Sequence, residues 1–87
     1  MQDLGAPISY VVLEKGAPVY SSDGKKIGEV HEIRADTEND IFDGLVVSDA
    51  LLPINKRFVP ADQIGELYEG GVVLQLDSSA CEKLEAA

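Results

Sequence analysis

Eighty-seven residues, 45% apolar and 26% charged, make one folded domain spanning 1–87 and exclude a disordered chain. Sixteen Asp and Glu against seven Lys and Arg leave a net charge of −9, which repels phosphate backbones and makes a nucleic-acid partner unlikely. A lone cysteine cannot close an internal disulfide, no apolar run approaches the ~20 residues of a membrane helix, and Met1-Gln2-Asp3 opens no secretion signal, so a soluble cytoplasmic protein is the expectation.

In chain order, residues 1–7 read as a loose lead-in and Ile8 to Leu13 as a short strand, broken at Glu14-Lys15-Gly16. Val19 and Tyr20 are strand formers, Ser21-Ser22-Asp23-Gly24 is a turn cluster with Gly24 free to take positive φ, and Ile27 to Ala35 is the return strand of a hairpin. Ile27, Val30 and Ile33 also have helical spacing. Gly28 and the Asp23-Gly24 turn favour a bulged strand instead, since a glycine inside a strand marks a bulge or a tight bend. The Asp36–Asp40 segment is an acidic loop.

Ile41 to Val47 is the most apolar strand, with Ile41, Leu45 and Val47 on one face and Phe42 and Val46 on the other. A strand with one wet face alternates more cleanly, so one face is expected inside the fold and the other against something else. Ser48 to Asn55 is a loop holding three large aliphatics, Leu51, Leu52 and Ile54. Arg57 to Val59 is a strand ended by Pro60, Ala61 to Ile64 a single helical turn, and Gly65 to Tyr68 a short strand. After the turn at Glu69-Gly70-Gly71, Val72, Leu74 and Leu76 alternate with Val73, Gln75 and Asp77 as in a half-buried strand. Ser79 and Glu82 have capping-box spacing, so residues 78–87 are expected to be a short helix over Ala80 to Ala86 and a tail, which either docks through Cys81 and Leu84 or frays. Strands following one another with no helix between them imply an all-β fold: a small antiparallel barrel of about six strands, closed or nearly so, with a short C-terminal helix.

Several short features resemble the PRC-barrel domain family, the small barrel found in a ribosome maturation factor and in the photosynthetic reaction-centre H subunit. They are Gly16, Pro18-Val19-Tyr20, Asp23-Gly24, Ile27-Gly28 and Val30. Phe58-Val59-Pro60-Ala61-Asp62-Gln63-Ile64 and the closing Gly71-Val72-Val73-Leu74 follow, so the resemblance runs from about Tyr10 to Asp77. It implies a structural and binding role without chemistry, because barrels of this family contact other proteins. Stand-alone members occur in bacteria and archaea, some of the archaeal ones linked to cell division.

Candidate chemistry is sparse. His31, the single histidine, lies among Glu29, Glu32 and Arg34 and reads as a general base, a pH sensor or an ordinary surface residue. Cys81 reads as a thiolate partner for His31 or as a small buried apolar side chain. Asp36, Glu38 and Asp40, with Asp43 beyond, are candidates for a calcium ion or for a solvated acidic loop, though glycine arrives only at Gly44, after the ligands. Lys25-Lys26 and Lys56-Arg57 read as solvated turn charges. No phosphate-cradling loop, zinc cluster or Ser/His/Asp arrangement is present, so no cofactor is implied and no enzyme is expected.

Leu51, Leu52 and Ile54, with Phe42 or Val46 nearby, form either a binding patch or a loop folded back over one end of the fold. The expected function is therefore a non-enzymatic, protein-binding adaptor that associates with itself and with another protein. Homodimerisation is expected through the Ile41–Val47 strand or the Leu51–Ile54 loop. The alternatives are a small-ligand or divalent-metal-binding module, and an accessory factor in ribosome or RNA metabolism or in archaeal-type cell division.

Overall fold

Strand-forming residues between turn clusters produce six strands in the computed structural model, which describes residues 4–52 and 54–86. They are β1 (Pro18–Tyr20), β2 (Lys26–Asp36), β3 (Ile41–Asp49), β4 (Lys56–Pro60), β5 (Ile64–Tyr68) and β6 (Gly71–Leu74). They are followed by one helical turn, α1 (Ser78–Cys81). No helix among the described residues is long and apolar enough to cross a membrane.

The strands form one sheet in the order β4-β3-β2-β1-β6-β5. Each pairing between consecutive strands is antiparallel, as short connections require, but β1 pairs with β6 in parallel through Val19↔Val72 and Tyr20↔Val73. The expectation of a purely antiparallel sheet is thus corrected. It came from loop lengths, and no short loop constrains two strands so far apart in sequence. A closed barrel is also not what the pairing gives, because no ladder joins β4 to β5 among the described residues.

An open sheet leaves two edges that could recruit other strands. Here each is covered in part. Along β5, Gly70 N–H donates to Leu4 C=O (2.7 Å), Glu69 N–H to Ala6 C=O (3.0 Å) and Ile8 N–H to Leu67 C=O (2.9 Å), so residues 4–7 are not a loose lead-in. Residues 1–3 of that lead-in lie outside the described residues. Along β4, Phe58 N–H donates to Glu85 C=O (3.1 Å) and Arg57 bridges to Ala86.

Two further expectations change. Ile8 to Leu13 is not a strand: Tyr10–Val12 form a 3₁₀ turn, because the Ser9 hydroxyl accepts from Val11 N–H (3.2 Å) and so caps a turn at its own position. The C-terminal helix is one turn, capped by Asp77 instead of Ser79, with the Asp77 carboxylate accepting from Ala80 N–H (2.7 Å). It stops early because the Arg57 guanidinium takes the carbonyls of Cys81 (3.0 Å) and Glu82 (2.6 Å), and the chain then turns onto β4. Of docking and fraying, the fold shows docking, through buried Cys81 and half-buried Leu84.

The core is aliphatic: Leu13, Val19, Val30, Leu45, Val47, Val59, Val72, Leu74 and Cys81. Strand β2 is bulged after Val30 and again after Arg34, and the β1–β2 turn places Gly24 at positive φ. Asp23 fastens this turn to α1, its carboxylate accepting from the hydroxyl of Ser21 and from the N–H (3.2 Å) and hydroxyl (3.0 Å) of Ser78.

These bonds from Ser21 and Ser78 hold Asp23 below the usual carboxylate range, as the Asn39 amide holds Asp36 and the N–H groups of Leu51 and Leu52 hold Asp49. The unfolded chain therefore binds more protons than the folded one just below the ordinary value of about 3.9, and stability rises with pH there. It should be fully present above about pH 5 and lost as pH falls through the depressed values. Melting curves from about pH 6 down to pH 2 should show this fall, and Asp23→Asn should make it shallower. An unaltered slope in that variant would rule Asp23 out as a source of the acid sensitivity.

Candidate functional site

Strand β3 leads into a loop that is tied down at both ends. The Asp49 carboxylate accepts from Leu51 N–H (2.8 Å) and Leu52 N–H (3.1 Å), Asn55 N–H donates to Leu52 C=O (2.8 Å), and Asp49 N–H donates to Asn55 C=O (2.9 Å). A further bond from Ala50 N–H to Ile27 C=O (3.0 Å) fastens the loop to β2. With its backbone so engaged, the loop turns its large side chains outward: Leu51 is 90% exposed, Leu52 58% and Ile54 86%. Of the two readings left open by the sequence, these three fit the exposed patch and not the folded-back cap.

The other two candidates do not join them. Val46 is 2% exposed, lying between β2 and β4 in the ladder, and so presents no surface. Phe42 is half-buried at the far end of β3, where its ring stacks on Tyr10 with centroids 4.9 Å apart and planes 6° from parallel.

Beside the loop opens a cleft of about 240 Å³ over the core. Ile27, Val47, Val59 and Leu84 supply apolar walls, and Lys25, Lys26 and Arg57 stand around them. A second hollow, next to it through shared Arg57 and Leu84, brings in Ile54 and Lys56. The two basic doublets therefore converge at one end of the molecule. Linear reading missed this, because nothing local in either doublet signals it. The register does, by setting Gly28 opposite Asp49 and Ser48 opposite Lys56.

Of His31, Cys81 and the acidic candidates Asp36, Glu38 and Asp40, the cleft takes in Cys81 alone. Cys81 is buried at the edge of the cleft, and burial pushes its thiol pKa up, away from the reactive thiolate. His31 is exposed on β2 and does not line that cleft. The acidic turn spends its oxygens internally: Asp36 accepts from the N–H groups of Glu38 (3.1 Å) and Asn39 (3.3 Å) and from the Asn39 side chain (2.7 Å), and Asp40 accepts from the Tyr10 hydroxyl (2.8 Å). Asp36, Glu38 and Asp40 are thus not gathered into a ligand set, and among the described residues no group of three His, Cys, Asp or Glu could hold a metal ion.

The residues that carried the resemblance are framework. Gly16 N–H donates to Val30 C=O (2.7 Å), Pro18 and Val19 pair with β2, and Val59 and Pro60 pair with β3. Pro60 then leads into the 61–63 turn that holds exposed Asp62. A family model described as the PRC-barrel domain matches residues 14–79, well over half of the chain. No curated protein matches it.

Proposed function

Since the chain belongs to the PRC-barrel domain family, whose matched residues here build the sheet, we propose that it is a non-enzymatic protein-binding module that also binds itself. One observation carries this reading: the loop between β3 and β4 holds Leu51, Leu52 and Ile54 in solvent on a backbone fastened by its own hydrogen bonds. Exposed aliphatics close together on a surface favour association, because burying them removes apolar area from water. Beyond exposed Ile41 at its start, the Ile41–Val47 strand offers little contact, since β3 is paired on both sides and Leu45, Val46 and Val47 are buried. The reading includes a cytoplasmic setting, which suits a free, buried thiol.

Light scattering across a concentration series tests it. The wild-type chain should gain mass with concentration, and Leu52→Asp should weaken that association at least tenfold with the melting temperature nearly unchanged, because Leu52 is exposed. A wild-type chain that stays monomeric at the highest concentrations would refute self-association.

A further inference from the structure

Among the described residues, the large hydrophobics exposed to solvent are Val11, Val12, Ile41, Leu51, Leu52 and Ile54, and they fall into two groups. Leu51, Leu52 and Ile54 lie in the loop beside the cleft. Ile41 opens β3 directly after the acidic turn, and Val11 and Val12 follow Tyr10, whose hydroxyl donates to Asp40 of that turn and whose ring lies on Phe42.

The two groups stand at opposite poles. Strand β2 runs from Lys26, at the cleft, to Asp36, at the acidic turn. Its eleven residues, even shortened by two bulges from the about 3.3 Å per residue of a regular strand, reach across much of the molecule, whose longest dimension is 33 Å. The poles also differ in charge. Lys25, Lys26, Lys56 and Arg57, four of the seven basic residues in a chain of net charge −9, gather at the cleft. Asp36, Glu38, Asp40 and Asp43 gather at the turn. Acids reach the cleft too, as Asp49 and Glu82: Lys26 is paired with Glu29 (3.6 Å), Arg57 holds the carbonyls of Cys81 and Glu82, and Asp49 is occupied by the N–H groups of Leu51 and Leu52, so the cleft keeps a modest cationic excess carried chiefly by Lys25 and Lys56.

We infer that copies of this chain associate head to tail, the acidic turn and Ile41 of one copy docking in the basic, apolar cleft of the next. This rests on the self-association proposed above and specifies its geometry. A contact between two acidic turns would oppose charges of one sign, whereas a contact between turn and cleft pairs carboxylates with ammonium groups and puts apolar side chains on both sides. The net charge repels approaching copies at long range, but that repulsion is screened beyond about 8 Å at physiological ionic strength, so the facing poles decide. Unlike patches on one chain make a heterologous interface, which yields a ring if the rotation closes and a filament if it does not.

Two variants separate this from a two-fold dimer. Lys26→Glu with Leu52→Asp disables the cleft, and Glu38→Ser with Ile41→Ser disables the turn. All four positions are exposed, so both variants should fold, as circular dichroism and melting would verify. In light scattering, each variant alone should lose at least tenfold in association. Their equimolar mixture should form a one-to-one complex that grows no further, because one variant keeps an intact turn and the other an intact cleft. A turn variant that still dimerises as the wild type does would overturn head-to-tail docking and leave self-association standing. A mixture that stays monomeric while the wild type associates would also overturn it. A monomeric wild type would remove both readings together.

Discussion

Gly28→Ala is expected to lower the melting temperature by roughly 12–24 °C, corresponding to a loss of about 3 kcal/mol in a domain of this size. A Cβ at Gly28 would stand 1.8 Å from the Ser48 carbonyl oxygen and 3.0 Å from a Val47 methyl carbon. The first contact is with backbone, so no side-chain rotation relieves it, and β2 and β3 must part where Gly28 faces Asp49. The same separation pulls on the bond from Ala50 N–H to Ile27 C=O that anchors the apolar loop. Self-association should therefore weaken along with stability. A fall in melting temperature of less than about 5 °C would show that the strands accommodate the methyl group and that Gly28 is not the point of closest approach.

Leu45→Ala should cost about 2–5 kcal/mol, read as a shift of the urea midpoint at unchanged slope. Leu45 is wholly buried in the middle of β3, cross-strand from Ile33 on β2 and Val59 on β4, so truncating it opens a cavity that two paired neighbours prevent from collapsing. Small domains have only about 5 kcal/mol or somewhat more in total, so the variant should be partly unfolded under mild conditions. Leu51→Ala removes the same atoms from a side chain that is 90% exposed, and its effect on stability should stay within about 0.5 kcal/mol. A cost below about 1 kcal/mol for Leu45→Ala would contradict the packing described for this sheet.

Local chemistry in the sequence made most elements readable. The Asp23-Gly24 turn, the bulged run from Ile27, the helical turn after Pro60 and the start of the alternating strand at Val72 all stand where residue types place them, though that strand ends at Leu74 and not beyond Leu76. Errors arose where two local preferences competed. In Ile8 to Leu13 the β-branched valines argued for a strand, and the Ser9 hydroxyl decided for a turn. At the C-terminus both Asp77 and Ser79 could cap. Asp77 does, and the helix ends where Arg57, from a distant strand, claims its last carbonyls.

The candidate surface was legible in part for a related reason. Three large aliphatics in a loop are conspicuous in any sequence, so Leu51, Leu52 and Ile54 stood out as candidates, and the fold leaves all three exposed. Period-two alternation also placed Phe42 and Val46 on a common face, but it could not say that Val46 is covered or that Phe42 lies at the other pole against Tyr10. The cleft and its basic surroundings were invisible, because they depend on a register between strands.

Turns, strand limits and the choice of an aliphatic core follow from interactions among residues a few positions apart, and the order of amino acids specifies those directly. Strand order, the parallel union of β1 with β6, the partial covering of both sheet edges and the meeting of the two basic doublets at one end arise between segments far apart in the chain. Their energies depend on which surfaces meet in space, and only the folded sheet settles that.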